Sequence, residues 1–299
     1  MDKKFTIIGA GAILWDIFPE DKKLGGAPAN FAYHVYSLGH DGVIISRVGN
    51  DMLGKEIIKL LSGKKMNTSF IQIDEIYPTG TVEVVIDRNN QPDYINKEQV
   101  AWDFIEWQNS FISLLNKTDA ICFGTIDQRN EVSRKTIINI LKKAQKNTEI
   151  VYDVNLRQNY FNRKIIEESL KFATILKLNE LELEIIKKLF KIDEKYNLEK
   201  SCHYLLQEYN LKLVCLTKGE EGSLLINKTS TFKGDIFPCK VVDRVGAGDA
   251  FTAAVIIQFL KGSSLEEISC RANNLASWVT SKEGGMPSYN DYNINQGAL

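Results

Sequence analysis

Between Asp243 and Phe251 the chain reads Asp-Arg-Val-Gly-Ala-Gly-Asp-Ala-Phe and opens a largely apolar run to Leu260, long enough for a buried helix. Gly246, Ala247 and Gly248 therefore set three small residues at a helix N-terminus. Their open N–H groups and the positive end of the helix dipole make a place for an anion. A carboxylate on that turn repels a phosphate that is merely bound. Phosphoryl transfer, in contrast, needs a base beside the phosphate to take a hydroxyl proton, and Asp249 stands there. Helix capping by Asp249 is the competing reading.

Two further groups of residues suit that chemistry. Leu24-Gly25-Gly26-Ala27-Pro28-Ala29-Asn30 pairs two glycines with a proline-led helix start, which allows close approach of a ligand, while Asn30 offers a donor and an acceptor to a polyol. Polar residues also collect after apolar runs: Asp153, Asn155 and Arg157, then Lys177, Asn179 and Glu182, then Thr217-Lys218-Gly219 with Gly222. An arginine suits a phosphoryl group, and an Asn with a Glu three residues on can hold hydrated magnesium. The same Asn179–Glu182 spacing is that of a capping box, and Lys218–Gly222 also fits a hairpin turn. Asp16, a lone acid in the apolar stretch Ile13–Phe18, reads by itself as an edge-strand residue.

The elements that must position these groups alternate. Strands are expected at Phe5–Ile8, Val43–Val48, Ala120–Phe123, Ile150–Val154, Thr174–Leu178 and Leu213–Leu216, with helices at 28–37, 130–146, 163–172, 180–190 and 198–209 between them. This is a parallel α/β sheet with ligand sites beyond the strands' C-terminal ends. Phe70–Ile73, Thr81–Asp87 and Asp93–Ile95, with an Asn89-Asn90 turn, read instead as a β-meander that joins residues 12–19 in a small separate sheet. Asn50 or Asp51 is expected to cap the helix after Gly49.

Composition narrows the class. The 299 residues, 44% hydrophobic and 25% charged, suit a soluble globular protein. Lysine and arginine (37) balance aspartate and glutamate (38), so no nucleic-acid or membrane partner is called for. Neither a secretory leader nor a run of about 20 apolar residues is present, so a cytoplasmic location is expected. The five cysteines show no Cys-x-x-Cys pair and read as buried thiols, and the three histidines stand apart, which removes zinc and His-based triads. Gly9-Ala10-Gly11 lacks the third glycine of a dinucleotide fingerprint, since Leu14 holds that position.

The chain resembles the PfkB carbohydrate kinases, the ribokinase-like family. Gly25, Gly26, Pro28, Asn30, Ala32, Gly39 and Gly49 match the fixed positions of its first signature, and residues 243–256 match its second except that Arg244 replaces a small residue. The likeness spans essentially all of residues 1–299 as one kinase domain, and Asp153-x-Asn155-x-Arg157 looks most like the fructokinase branch. The resemblance implies a ribokinase-like α/β fold with a small β-sheet lid from about 12–24 and 70–100. It implies an ATP-dependent kinase acting on a sugar, first fructose, otherwise ribose, a sugar acid or a nucleoside. A non-catalytic sugar sensor is the alternative of another class. By the same resemblance Asp249 is the base, Gly246, Ala247 and Gly248 the anion hole, and Arg157 a catalytic partner. Asp16, Gly25, Gly26, Ala27 and Asn30 bind the sugar. Thr217, Lys218, Gly219, Gly222 and Asn274 meet the nucleotide, with Asn273 the alternative to Asn274. Asn179 and Glu182 position Mg2+ through water, and Asp243 with Gly284-Gly285 resembles a monovalent-cation site, K+ being the candidate ion. A homodimer through the exposed lid sheet is the expected assembly.

Overall fold

The computed structural model describes residues 3–86 and 92–292. Its frame is a nine-stranded sheet. Five parallel strands form the centre: β1 (Thr6–Ala10), β8 (Ala120–Gly124), β9 (Glu149–Asp153), β10 (Ile175–Asn179) and β11 (Leu213–Thr217). On the far side of β1 lie β4 (Asp41–Gly49) and β5 (Ile71–Asp74), also parallel, and beyond β11 run the antiparallel β12 (Ser223–Asn227) and β13 (Thr231–Gly234).

Through their middles the central strands are apolar, Lys177 of β10 excepted, because both faces are covered. In β1, Ile8 and Ala10 enter one core while Ile7 enters the other; in β11, Val214 and Leu216 divide in the same way from Leu213 and Cys215. One core takes helices α3 (Ser110–Leu115), α4 (Glu131–Lys143), α5 (Arg163–Phe172), α6 (Glu180–Phe190) and α7 (Leu198–Glu208). The opposite core takes α1 (Ala27–Ser37), α8 (Ala247–Lys261) and α9 (Leu265–Thr280). Helix α8 is buried from Ala250 to Ile257, which accounts for its apolar run.

A second sheet of four strands has the order β3-β2-β6-β7: β2 (Leu14–Ile17), β3 (Lys22–Gly25), β6 (Gly80–Ile86) and β7 (Pro92–Asn96). It departs from the expected meander in two ways. Ile71–Asp74 is not part of it, because β5 extends the large sheet beside β4, and β2 pairs with β6 in parallel. The expected Asn89-Asn90 turn lies outside the described residues. Asp51 caps α2 (Met52–Gly63), accepting from Gly54 N at 2.8 Å. Of the five free thiols, Cys122, Cys202 and Cys215 are buried as expected, but Cys239 is exposed and Cys270 half-buried. No described helix is long and apolar enough to cross a membrane.

Candidate active site

Two clefts meet over the C-terminal ends of the parallel strands. The first, about 530 Å³, lies between the two sheets, with Asp16, Gly26, Ala27, Asn30, Arg157, Glu182, Asp243, Gly246 and Asp249 on its polar side and Leu14, Val82, Trp102 and Ile126 on its apolar side. The second, about 680 Å³, is lined by Thr217, Gly219, Gly222, Val241, Ala247, Phe251 and Asn273. Asn179, Arg244 and Gly248 line both, so the passage between the clefts crosses the first turn of α8.

Gly246 starts that turn at φ 79°, and a Cβ on it would lie 2.6 Å from Gly285 Cα, so glycine is demanded by conformation and by space. Asp249, three residues on, does not cap the helix: no side-chain capping bond forms at its start. Its Oδ2 instead accepts from Asn30 Nδ2 at 2.8 Å, which ties the first turn of α8 to α1 in the opposite wall. Burial, and next the charge of Asp153, push the Asp249 carboxyl up to about 6, against the Asn30 hydrogen bond and the charges of Lys177 and Arg157. A carboxylate at that value is ionised at neutral pH and still basic enough to take a proton.

Asp16 faces the same space from β2. It is 9% exposed, and no donor among the described residues reaches its carboxylate. Burial first, then the charges of Asp243 and Asp249, raise it to about 6. Asn30 Oδ1 is likewise buried without a partner among the described residues. Two acceptors therefore stand open where a polyol's hydroxyls would enter. Gly25 does not line the cleft; a Cβ on it would lie 2.5 Å from Asp16 Oδ2, so its part is to leave that carboxylate room. Gly26, at φ 103°, has Ala12 O 2.4 Å from the position a Cβ would take.

Asn179 and Glu182 form a reciprocal capping box at the start of α6: Asn179 Oδ1 accepts from Glu182 N at 2.9 Å and Glu182 Oε2 from Asn179 N at 2.8 Å. Leu156 N adds a bond to Glu182 Oε1 at 3.0 Å. Each carboxylate oxygen thus carries one N–H and retains accepting capacity, and Glu182 lines the first cleft, so a hydrated cation fits these residues. Arg157 is exposed at the cleft mouth and donates to Leu156 O at 3.1 Å.

Several expected nucleotide contacts shift. Lys218 does not line the second cleft; its ammonium pairs with Glu221, and its N–H closes the β11–β12 hairpin on Gly222 O at 2.8 Å. Asn274 faces away and accepts from Tyr292 Oη at 3.2 Å. Asn273 is the residue on the cleft side, its Nδ2 held by Ser223 Oγ at 2.9 Å and Ser269 Oγ at 3.0 Å. Arg244 reaches outward to Glu220 Oε1 at 2.7 Å across the rim of the second cleft. Asp243 accepts from Val245 N and Gly284 N, each at 3.0 Å, and Lys23 Nζ lies 3.4 Å from its Oδ2.

Sequence reasoning named Lys177 only among the strand-end polar residues and gave it no role, and it missed Asp127 altogether. Lys177, buried on β10, holds Asp153 Oδ1 at 3.0 Å, and its Nζ lies 3.1 Å from where a Gly248 Cβ would be, so it stands under the passage. The attraction of Asp153 and then Glu182 outweighs burial and raises its pKa. Asp127 accepts from Ala12 N at 2.8 Å and Gly124 N at 2.9 Å at the base of the first cleft. A Gly11 Cβ would lie 2.2 Å from Asp127 Cγ, and a Gly9 Cβ 2.0 Å from Pro28 O. Those two contacts, not a dinucleotide, account for Gly9-Ala10-Gly11. The strand-end rule that singled out Asp153 would also have reached Asp127.

Residues 20–291 match the pfkB family carbohydrate kinase profile. A protein of Pyrococcus horikoshii named as a sugar kinase is 30% identical over 279 residues, 91% of this chain and 85% of its own. Its crystal structure in complex with ATP has a TM-score of 0.76 at 28% identity and 94% coverage of both chains. An ATP-dependent 6-phosphofructokinase of Thermoanaerobacterium thermosaccharolyticum is 28% identical over 284 residues, 89% and 85% of the two chains. A double mutant of the Vibrio cholerae fructokinase, crystallised with fructose, ADP and potassium, has a TM-score of 0.79 at 20% identity, covering 96% and 95%. The fold of this chain is ribokinase-like.

Proposed function

Since the chain belongs to the pfkB family of carbohydrate kinases and is an ATP-dependent sugar kinase, we propose that it transfers the γ-phosphoryl group of MgATP to a hydroxyl of fructose. One observation carries the reading: Asp249 lies on the anion-binding turn at the passage between the clefts, tied to Asn30 of the sugar side. ATP lies in the second cleft with its phosphates toward Asn179, Arg244 and Gly248. The sugar lies in the first, beneath the small sheet acting as a lid. Its hydroxyls meet Asp16 and Asn30, the two open acceptors.

Asp249 takes the proton of the reacting hydroxyl, the sugar oxygen bonds to the γ-phosphorus, and the bond from that phosphorus to the bridging oxygen of ADP breaks. The N–H groups of the Gly246–Gly248 turn and the Lys177 ammonium face the charge on the phosphoryl oxygens during transfer. Asn179 and Glu182 would hold hydrated magnesium, which neutralises phosphate charge. Closure of the lid sheet keeps water from the phosphoryl group.

Charge supports a neutral sugar over a sugar phosphate. Asp16, Asp243, Asp249 and Glu182 line the first cleft, Lys177 is held by Asp153, Arg244 pairs with Glu220, and Arg157 stands at the mouth. Fructose is supported by the Asp153-x-Asn155-x-Arg157 pattern and by the fructose held in the Vibrio enzyme.

The test is ADP release from MgATP over a panel of fructose, fructose 6-phosphate, ribose, tagatose, 2-keto-3-deoxygluconate and adenosine. The highest kcat/KM is expected with fructose. A higher value for another acceptor reassigns the substrate. Silence across the panel with sugar binding by calorimetry would make the protein a sensor.

A further inference from the structure

Lys23 belongs to β3, an outer strand of the lid sheet, yet its side chain crosses to the loop that precedes α8. Its Nζ lies 3.4 Å from Asp243 Oδ2 and 3.9 Å from Glu283 Oε2. The stem lies along Gly284, where a Cβ would be 3.4 Å from Lys23 Cδ, so glycine leaves the track the lysine follows. Asp243 in turn clasps two loops, through Val245 N on the approach to the anion-binding turn and Gly284 N on the turn that backs Gly246. A positive charge on Asp243 thus acts on the anion-binding turn through that clasp.

A monovalent cation beside Asp243 would have to share this carboxylate oxygen with a lysine ammonium, and two unit charges so close repel. The residues present do not fit potassium. We infer that Lys23 takes the place of a bound monovalent cation in this protein, as a positioning residue that fixes Asp243 and so sets the Gly246–Gly248 turn. Because the charge is carried on the lid sheet, seating the lid and charging the Asp243 clasp are one event. The inference rests on the kinase reading for its effect on turnover, but not for its effect on ion binding.

Two readouts test it. Thermal unfolding of the wild type is measured in KCl and in tetramethylammonium chloride at equal ionic strength, alongside Lys23→Ala and Lys23→Arg. Kinetics with MgATP and the best sugar follow in the same salts. The wild type is expected to unfold at one temperature and turn over at one rate in both salts. Lys23→Ala is expected to lose about tenfold or more in kcat/KM without potassium, and to recover with potassium together with a potassium-dependent rise in Tm. Lys23→Arg should keep most of the activity in either salt. A potassium-dependent Tm or rate in the wild type overturns the inference. So does a Lys23→Ala protein that equals the wild type without potassium, or one that potassium neither stabilises nor reactivates. If no sugar is turned over, the kinase reading falls while the unfolding measurements still decide this point.

Discussion

Asp249→Asn separates the catalytic role of Asp249 from a structural one, because the two demand opposite changes in stability. The carboxyl is pushed from 3.8 up to about 6, first by burial. Folding therefore disfavours its ionised form: the stability this group contributes is complete below 3.8 and is lost as pH rises through 6. At pH 8 the full shift corresponds to a ceiling of about 3 kcal/mol. Water reaching this half-buried group lowers the figure to between about 1 and 3 kcal/mol. An asparagine of the same shape still accepts from Asn30 Nδ2 and carries no charge. At pH 8 it should raise Tm by about 2 to 5 °C, with the gain fading as pH falls from 6 to 4. Turnover should fall by about 10² to 10⁴-fold, with ATP binding retained by calorimetry. Calorimetric unfolding at pH 8 and pH 4 and ADP release at pH 8 are the assays. Near-normal turnover would refute the base, and a lower Tm at pH 8 would return Asp249 to a structural role.

Other consequences follow from the same geometry. The pH profile of kcat/KM should rise through about pH 6 as Asp249 ionises. Asn30→Ala, which removes a hydrogen bond that holds that pKa down, should move this limb to higher pH and raise the sugar KM; an unmoved limb would separate Asn30 from the base. Lys177→Met leaves Asp153 buried without its partner and should destabilise the fold by about 3 kcal/mol or more in urea unfolding. Equal stability would mean that Asp153 finds another donor. Gly246→Ala forces a Cβ against Gly285 at an unfavourable φ and should abolish turnover while MgATP binding weakens, a result that full activity would contradict.

The alternation of strand and helix was legible because strands buried on both faces write continuous apolar runs, as in Ala120–Phe123 and Leu213–Leu216. Strand partners were not. Phe70–Ile73 reads as a strand of the small sheet because the next strands along the chain belong to it; only the pairing of Ile71–Asp74 with β4 places it in the large sheet. Register hides the role of Lys177 for the same reason. Alone it is a lysine in an apolar strand, and it becomes part of the site because β10 and β9 set it directly beside Asp153. The choice between Asn273 and Asn274 was within reach, since Ser269, Asn273 and Ser277 recur every fourth residue and mark the covered face of α9. Lys23 left no trace in the sequence, because its partner Asp243 is 220 positions away.

Phosphorus NMR of the protein with MgATP and fructose tests the central claim most directly. A sugar phosphate monoester should grow in step with ADP and should be absent with Asp249→Asn. ADP that grows with inorganic phosphate in place of the ester would mean that water, not the sugar, is the acceptor, and would contradict phosphoryl transfer between these two clefts.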